Sequence, residues 1–72
     1  MRTGELELGM RIRIERIQRR LRQRDVAVRA DLSASTVSDI ECGWKAPTAD
    51  QLAAICAAIG ICPDDLKTGG GQ

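Results

Sequence analysis

A chain of 72 residues with no Phe, no Tyr and one aromatic residue, Trp44, has to build its core from small and branched aliphatic side chains. That length is near the lower size at which a single hydrophobic core holds a domain together without staples. Short helices joined by tight turns bury aliphatic side chains most economically at this size, so an all-α domain is expected. Cys42, Cys56 and Cys62 are an odd set, widely spaced, in a chain that has no histidine. They fit neither a zinc knuckle nor a disulfide framework and are read as small buried residues, with no metal and no cofactor.

Apolar spacing sets out the helices. Leu6, Met10, Ile14, Ile17 and Leu21 step by four, four, three and four, which predicts a first helix from about Glu7 to Arg20 with this stripe inward. Ile12 lies off the stripe and widens its apolar face. A short second helix fits Arg24 to Ala30, with Val26, Ala27 and Ala30 inward and Asp25 in its first turn. Ser33 is an N-cap for a third helix, from Ala34 to about Cys42, whose inner side holds Val37, Ile40 and Glu41. Gly43 then suits a left-handed helix end, and Pro47 closes the loop that follows. Thr48 and Gln51 form a capping box for a fourth helix carrying Leu52, Ile55, Cys56 and Ile59, and Gly60 stops it. Residues 62–66 make a last single turn with Pro63 at its first position. Residues 67–72 are expected to be a flexible Gly-rich tail, which divides the chain into a domain over 1–66 and that tail.

Charge and chemistry narrow the function classes. The first 24 residues carry eight arginines against three glutamates, a balance of +5, whereas the rest of the chain sums to −4. A basic end suits a polyanion, although a solvated arginine face gives the same pattern. No apolar run reaches the roughly 18 residues of a membrane span, and Glu5 and Glu7 stand where a signal peptide would be apolar. A cytoplasmic location with no membrane partner is therefore expected. Ser33, Ser35 and Asp39 lack a histidine base, and Lys45 would need burial to act as one, so neither an enzyme nor a small-molecule substrate is expected.

The stretch from Leu21 to Gly43 has the layout of two helices crossing through a three- to four-residue turn, with Ala27 as the small residue at the crossing. Its motifs are Leu21-Arg22-Gln23, Val26-Ala27, Leu32 through Ser38, and Ile40-Glu41-Cys42-Gly43. They continue with Ala46-Pro47-Thr48, Leu52 through Ile61, and Asp64-Asp65-Leu66. In this order they resemble the phage-repressor and Cro-like (Xre-like) helix-turn-helix family over about residues 8–66. The resemblance implies a compact bundle of four to five short helices with a central helix-turn-helix, a lambda-repressor-like DNA-binding domain.

It also implies roles for particular residues. Gln23, flanked by Arg22 and Arg24, matches a glutamine that binds a phosphate and braces the recognition helix. Ala34, Ser35, Ser38 and Asp39 match positions that face base edges, and Thr36 lies near the backbone. Gly43, Trp44 and Lys45 match a loop that meets phosphates. With Ser33 these residues form the candidate DNA-binding set, and Arg16 and Glu41 match a pair that ties the first helix to the recognition helix. Trp44 also suits a subunit contact or a cover over the end of the third helix. The sequence departs from the family at Arg22, which removes a Ser or Thr cap, and at Arg20, where a Gly is common. It departs again on a recognition face without Arg, Lys, Gln or Asn.

The leading expectation is a sequence-specific transcriptional regulator, a repressor, bound as a homodimer to an inverted repeat in double-stranded DNA. The alternatives are a protein-interaction module with weakened DNA binding and the DNA-binding part of a longer regulator. A regulatory protein partner would supply control. The arginine and alanine content suits a GC-rich bacterial or phage genome and a nucleoid-associated protein.

Overall fold

The computed structural model describes residues 3–63 and 66, with side chains from residue 7 onward. Four helices form the described chain: α1 (Thr3–Gln18), α2 (Gln23–Ala30), α3 (Ala34–Glu41) and α4 (Ala49–Ile59). Pro63 and Leu66 are also helical and Leu66 is buried, while Asp64, Asp65 and the tail at 67–72 lie outside the described residues. α2 sits centrally against α3 and α4, and α1 packs chiefly on α3. Ile12, Val26, Val37, Ile40, Ile55 and Cys56 are the largest side chains to be fully enclosed, an aliphatic core without an aromatic ring. Arg29 adds a tie from α2 to α4 by donating to the Ala58 carbonyl at 3.2 Å.

All four helices end in the same way. The residue in the left-handed region is Arg20 (φ 59°), Asp31 (φ 59°), Gly43 (φ 80°) or Gly60 (φ 95°). In each case the next amide reaches back five residues: Leu21 to Arg16, Leu32 to Ala27, Trp44 to Asp39, and Ile61 to Cys56. This Schellman arrangement satisfies carbonyls that a helix end leaves unpaired. The residue after the left-handed position then points at the core, and Leu21, Leu32 and Ile61 all pack against it. Trp44, at the same position after α3, is 75% exposed.

Three expectations are corrected by these coordinates. α1 begins and ends earlier than Glu7 to Arg20, because Arg19 and Arg20 turn the chain in the Schellman motif. Its inward line is Gly9, Ile12 and Arg16, and Met10, Ile14 and Ile17 face outward at 51%, 45% and 51% exposure. The period was read correctly and the face was not. The side chain of Leu6 lies outside the described set, and Leu21 is half-buried only after the helix has ended. Among the cysteines, Cys56 alone is buried, while Cys42 and Cys62 are exposed.

The inward face of α1 follows from Gly9. A Cβ there would stand 2.5 Å from the Glu41 carbonyl oxygen and 2.8 Å from its carbon, and still closer to the Ile40 carbonyl oxygen. All three are backbone atoms, so α1 rests directly on the last turn of α3.

Two stability measurements check this account. Gly9→Ala would gain helix propensity on an open surface; here the clash dominates, and a loss of about 2 kcal/mol is expected. In a domain of this size that lowers the melting temperature by roughly 8–16 °C; an unchanged or raised melting point would show that the two backbones do not meet. Arg20→Gly removes the left-handed penalty on a side chain and loosens the unfolded chain, a net gain of about 0.5–1 kcal/mol. Urea unfolding with an unaltered slope reads that gain as a higher midpoint.

Candidate nucleic-acid interface

The helix starts differ in how they are capped. Ser33 Oγ accepts from the Thr36 amide at 3.1 Å and shares a 2.8 Å bond with the Thr36 hydroxyl. Thr48 Oγ1 and Gln51 form the reciprocal box at the start of α4, both bonds at 3.0 Å. α2 has no side-chain cap from Arg22, an arginine having nothing to accept with. Asp25 compensates on one side only, its Oδ2 accepting from the Arg22 amide at 2.9 Å. The first turn of α2 is thus left open toward solvent between two exposed arginines, Arg22 and Arg24. Cations at the positive end of a helix dipole are unfavourable unless an anion joins them.

Glu41 fixes this open end to α3. Arg16 grips it with two donors, Nε to Oε2 at 2.7 Å and Nη2 to Oε1 at 3.0 Å. Gln23 Nε2 donates to the same Oε1 at 3.1 Å. Arg16 Nη1 completes the set on the Leu21 carbonyl at 2.8 Å, which pins the turn between α1 and α2. Arg16 and Glu41 are both buried, and no buried side-chain N or O among the described residues lacks a partner. The carboxylate faces the amide nitrogen of Gln23, which leaves a second N–H on that nitrogen and the amide oxygen for other partners.

The rest of the candidate set follows from α3. Val37, Ile40 and Glu41 turn inward, so Ala34, Ser35 and Asp39 are exposed and Ser38 is half-buried. Ser35, Asp39 and Cys42 recur at four and three residues and share the outer line. Cys42 is a member of that line that the sequence reading placed in the core; its spacing from Ser35 and Asp39 was the available signal. The loop folds back on α3, with the Trp44 amide at 2.9 Å and the Lys45 amide at 3.3 Å from the Asp39 carbonyl. Lys45 is exposed beside Trp44. Ser33 and Thr36 spend hydroxyl capacity on each other and stand at the lip of this surface.

An open groove of about 460 Å³ runs beside the network, lined by Met10, Arg13, Arg16, Gln23, Glu41 and Cys42. The sequence reading did not single out Arg13, because nothing in the linear pattern places it next to Gln23. No cluster of metal-ligating side chains occurs among the described residues. No described helix is long and apolar enough to cross a membrane.

Comparisons with known proteins bear on the fold and the family. The restriction-modification controller protein C.AhdI from Aeromonas hydrophila superposes with a TM-score of 0.88 at 25% identity, covering 90% of this chain and 98% of that one. The clp gene regulator ClgR from C. glutamicum gives the same TM-score at 24% identity, covering 100% of this chain and 97% of that one. No curated protein matches the sequence. A family model described as a helix-turn-helix domain matches residues 7–68, most of the chain. An open, arginine-flanked α2 tied by Glu41 to an outward α3, a fold shared with two regulators and this match lead to one assignment: the chain belongs to the helix-turn-helix domain family.

Proposed function

We propose that this protein is a sequence-specific DNA-binding transcriptional regulator that acts in the cytoplasm as a repressor. The observation that carries the reading is the uncapped start of α2 between Arg22 and Arg24, tied through Gln23 and Glu41 to the end of α3. Free N–H groups, a second amide hydrogen on Gln23 and two arginines make a phosphate site, and that site sets the register of α3 in the major groove. Lys45 and the exposed Trp44 hold the neighbouring backbone from the loop, the ammonium by charge and the indole by packing on the sugars.

The size of one copy supports a homodimer on an inverted repeat. One copy has extents of 31 × 23 × 21 Å and carries one α3. Half-sites of an inverted repeat lie about 34 Å apart, so reading both takes a second copy. Base contacts are sparse: Asp39 can accept from a cytosine amino group, Ser35 and Ser38 can bond to either kind of edge, and Ala34 can meet a thymine methyl. Much of the selectivity then comes from the shape and stiffness of the operator.

The second reading, a protein-interaction module with weakened DNA binding, rests on the same outer face of α3. It carries Asp39 and no cation.

Titration of the wild-type protein by Trp44 fluorescence, against DNA from upstream of its own gene and against a scrambled duplex of about 30 bp, separates the readings. The DNA reading expects tight binding to one duplex and an affinity that falls steeply with salt. Equal and feeble binding to both would favour the interaction module. Among variants, Gln23→Ala and Lys45→Ala should weaken binding to every duplex, with Lys45→Ala lowering the salt slope by about 1. Asp39→Ala should change the preference at one base position by about 1–3 kcal/mol. Uniformly stronger binding by Asp39→Ala would mean that this carboxylate only repels phosphate.

A further inference from the structure

Met10, Ile14 and Ile17 lie at the i, i+4, i+7 spacing that lines up on one side of a helix, opposite Gly9, Ile12 and Arg16. They are 51%, 45% and 51% exposed, an uncommon concentration of large apolar side chains on an open helix face. Ile14 and Ile17 lie outside the surface assigned to DNA, and Met10 stands at its edge. Exposed Arg13 stands on one flank of the stripe and exposed Arg20 beyond its C-terminal end, while half-buried Arg11, on the other flank, already engages another group. Among the described acids of α1, Glu7 is exposed and Glu15 is engaged by Arg19 at 2.6 Å. Met10 and Arg13 also form the rim of the groove that leads to Gln23, Glu41 and Cys42.

We propose that the outer face of α1 is a docking surface for an acidic amphipathic helix of a partner protein. Charge decides among the occupants. A second copy laid antiparallel across Ile14 would set Arg13 of one chain against Arg13 of the other beside the two-fold axis, with like charges opposed. A helix with an apolar stripe flanked by carboxylates meets Arg13 and Arg20 with opposite charge. The size agrees as well. Three half-exposed side chains offer a few hundred Å², short of the roughly 800 Å² per partner of a stable interface and suited to a short helix that binds reversibly. The docked helix grips the element whose other face rests on Ile40 and Glu41 and holds Glu41 through Arg16.

The probe is a synthetic peptide of about 18 residues with a leucine stripe flanked by glutamates, labelled with fluorescein and followed by anisotropy. A second peptide carries lysines in place of the glutamates. The glutamate peptide should bind and the lysine peptide should not, with methyl NMR shifts at Met10, Ile14 and Ile17. Ile14→Glu should weaken the glutamate peptide at least tenfold while its melting temperature and DNA titration stay as in the wild type. Ile17→Glu serves where Ile14→Glu does not fold. Arg13→Glu should weaken the glutamate peptide and admit the lysine peptide. Equal binding of both peptides, or binding indifferent to Ile14→Glu and Ile17→Glu, overturns the proposal. So does dimerisation of the protein alone that Ile14→Glu abolishes, which assigns the face to a second copy. Loss of phosphatidylglycerol-vesicle binding in that variant, without an effect on the peptide, assigns it to a membrane and overturns the proposal equally.

Discussion

The bidentate pair between Arg16 and Glu41 is the constraint to which the other features of this fold are referred. Two charges placed inside a protein lose solvation that their mutual attraction only partly restores, so such a pair is weak evidence of net stability. Its geometry is another matter. Arg16 reaches from α1 to a carboxylate on α3 and a carbonyl on the following turn, and Glu41 also accepts from the first residue of α2. Four pieces of chain are held by one pair of planar groups, whose bonds are directional in a way that aliphatic packing is not. Breaking the pair from one side would leave a buried charge at a cost of about 3–5 kcal/mol, a large share of the stability of any small domain.

Backbone proximity completes that constraint. Gly9 lets α1 touch the carbonyls of Ile40 and Glu41 directly, and it lies two turns before Arg16 on the same face. One contact sets how near α1 comes to the end of α3; the other sets how that end is rotated. The core of Ile12, Val26, Val37, Ile40 and Ile55 then fills the enclosed space without dictating direction, as interchangeable aliphatic side chains generally do.

Legibility in the sequence followed the same division. Helix existence was plain, because capping residues and apolar spacing act locally: Ser33, Thr48 with Gln51, and Gly43 and Gly60 at their helix ends all stand where a linear reading puts them. Arg20 takes the same left-handed conformation as the two glycines, which an arginine does not announce, so the first helix was carried two residues past its end. The face of α1 was illegible for a deeper reason. Met10, Ile14 and Ile17 form a better apolar stripe than Gly9, Ile12 and Arg16, and hydrophobicity alone selects the wrong side. Only a partner across the fold, Glu41, explains why an arginine and a glycine face inward. At the site, family resemblance led to Gln23, Arg16 and Glu41, whereas the exposure of Cys42 and the nearness of Arg13 to Gln23 depend on how α1 crosses α3.

Trp44 shows how the regular parts of the structure expose the irregular one. After each helix the residue that follows the left-handed position donates the same bond five residues back, and in three cases an aliphatic side chain there packs on the core. The direction is therefore set by the motif, and burial is what the motif ordinarily yields. An indole is the largest apolar group available at such a position, yet here it remains in solvent next to Lys45. The core does not call on it: Val37 and Ile40 of α3 are enclosed while the indole stays 75% exposed. In the proposed reading the requirement comes from outside the chain. Trp44 extends from a loop whose amides are bound to Asp39, so a surface that meets the outer line of α3 meets the indole as well. In the proposed DNA reading, that flat apolar ring tipped by one N–H meets the sugar edge of the backbone and the lysine beside it meets a phosphate.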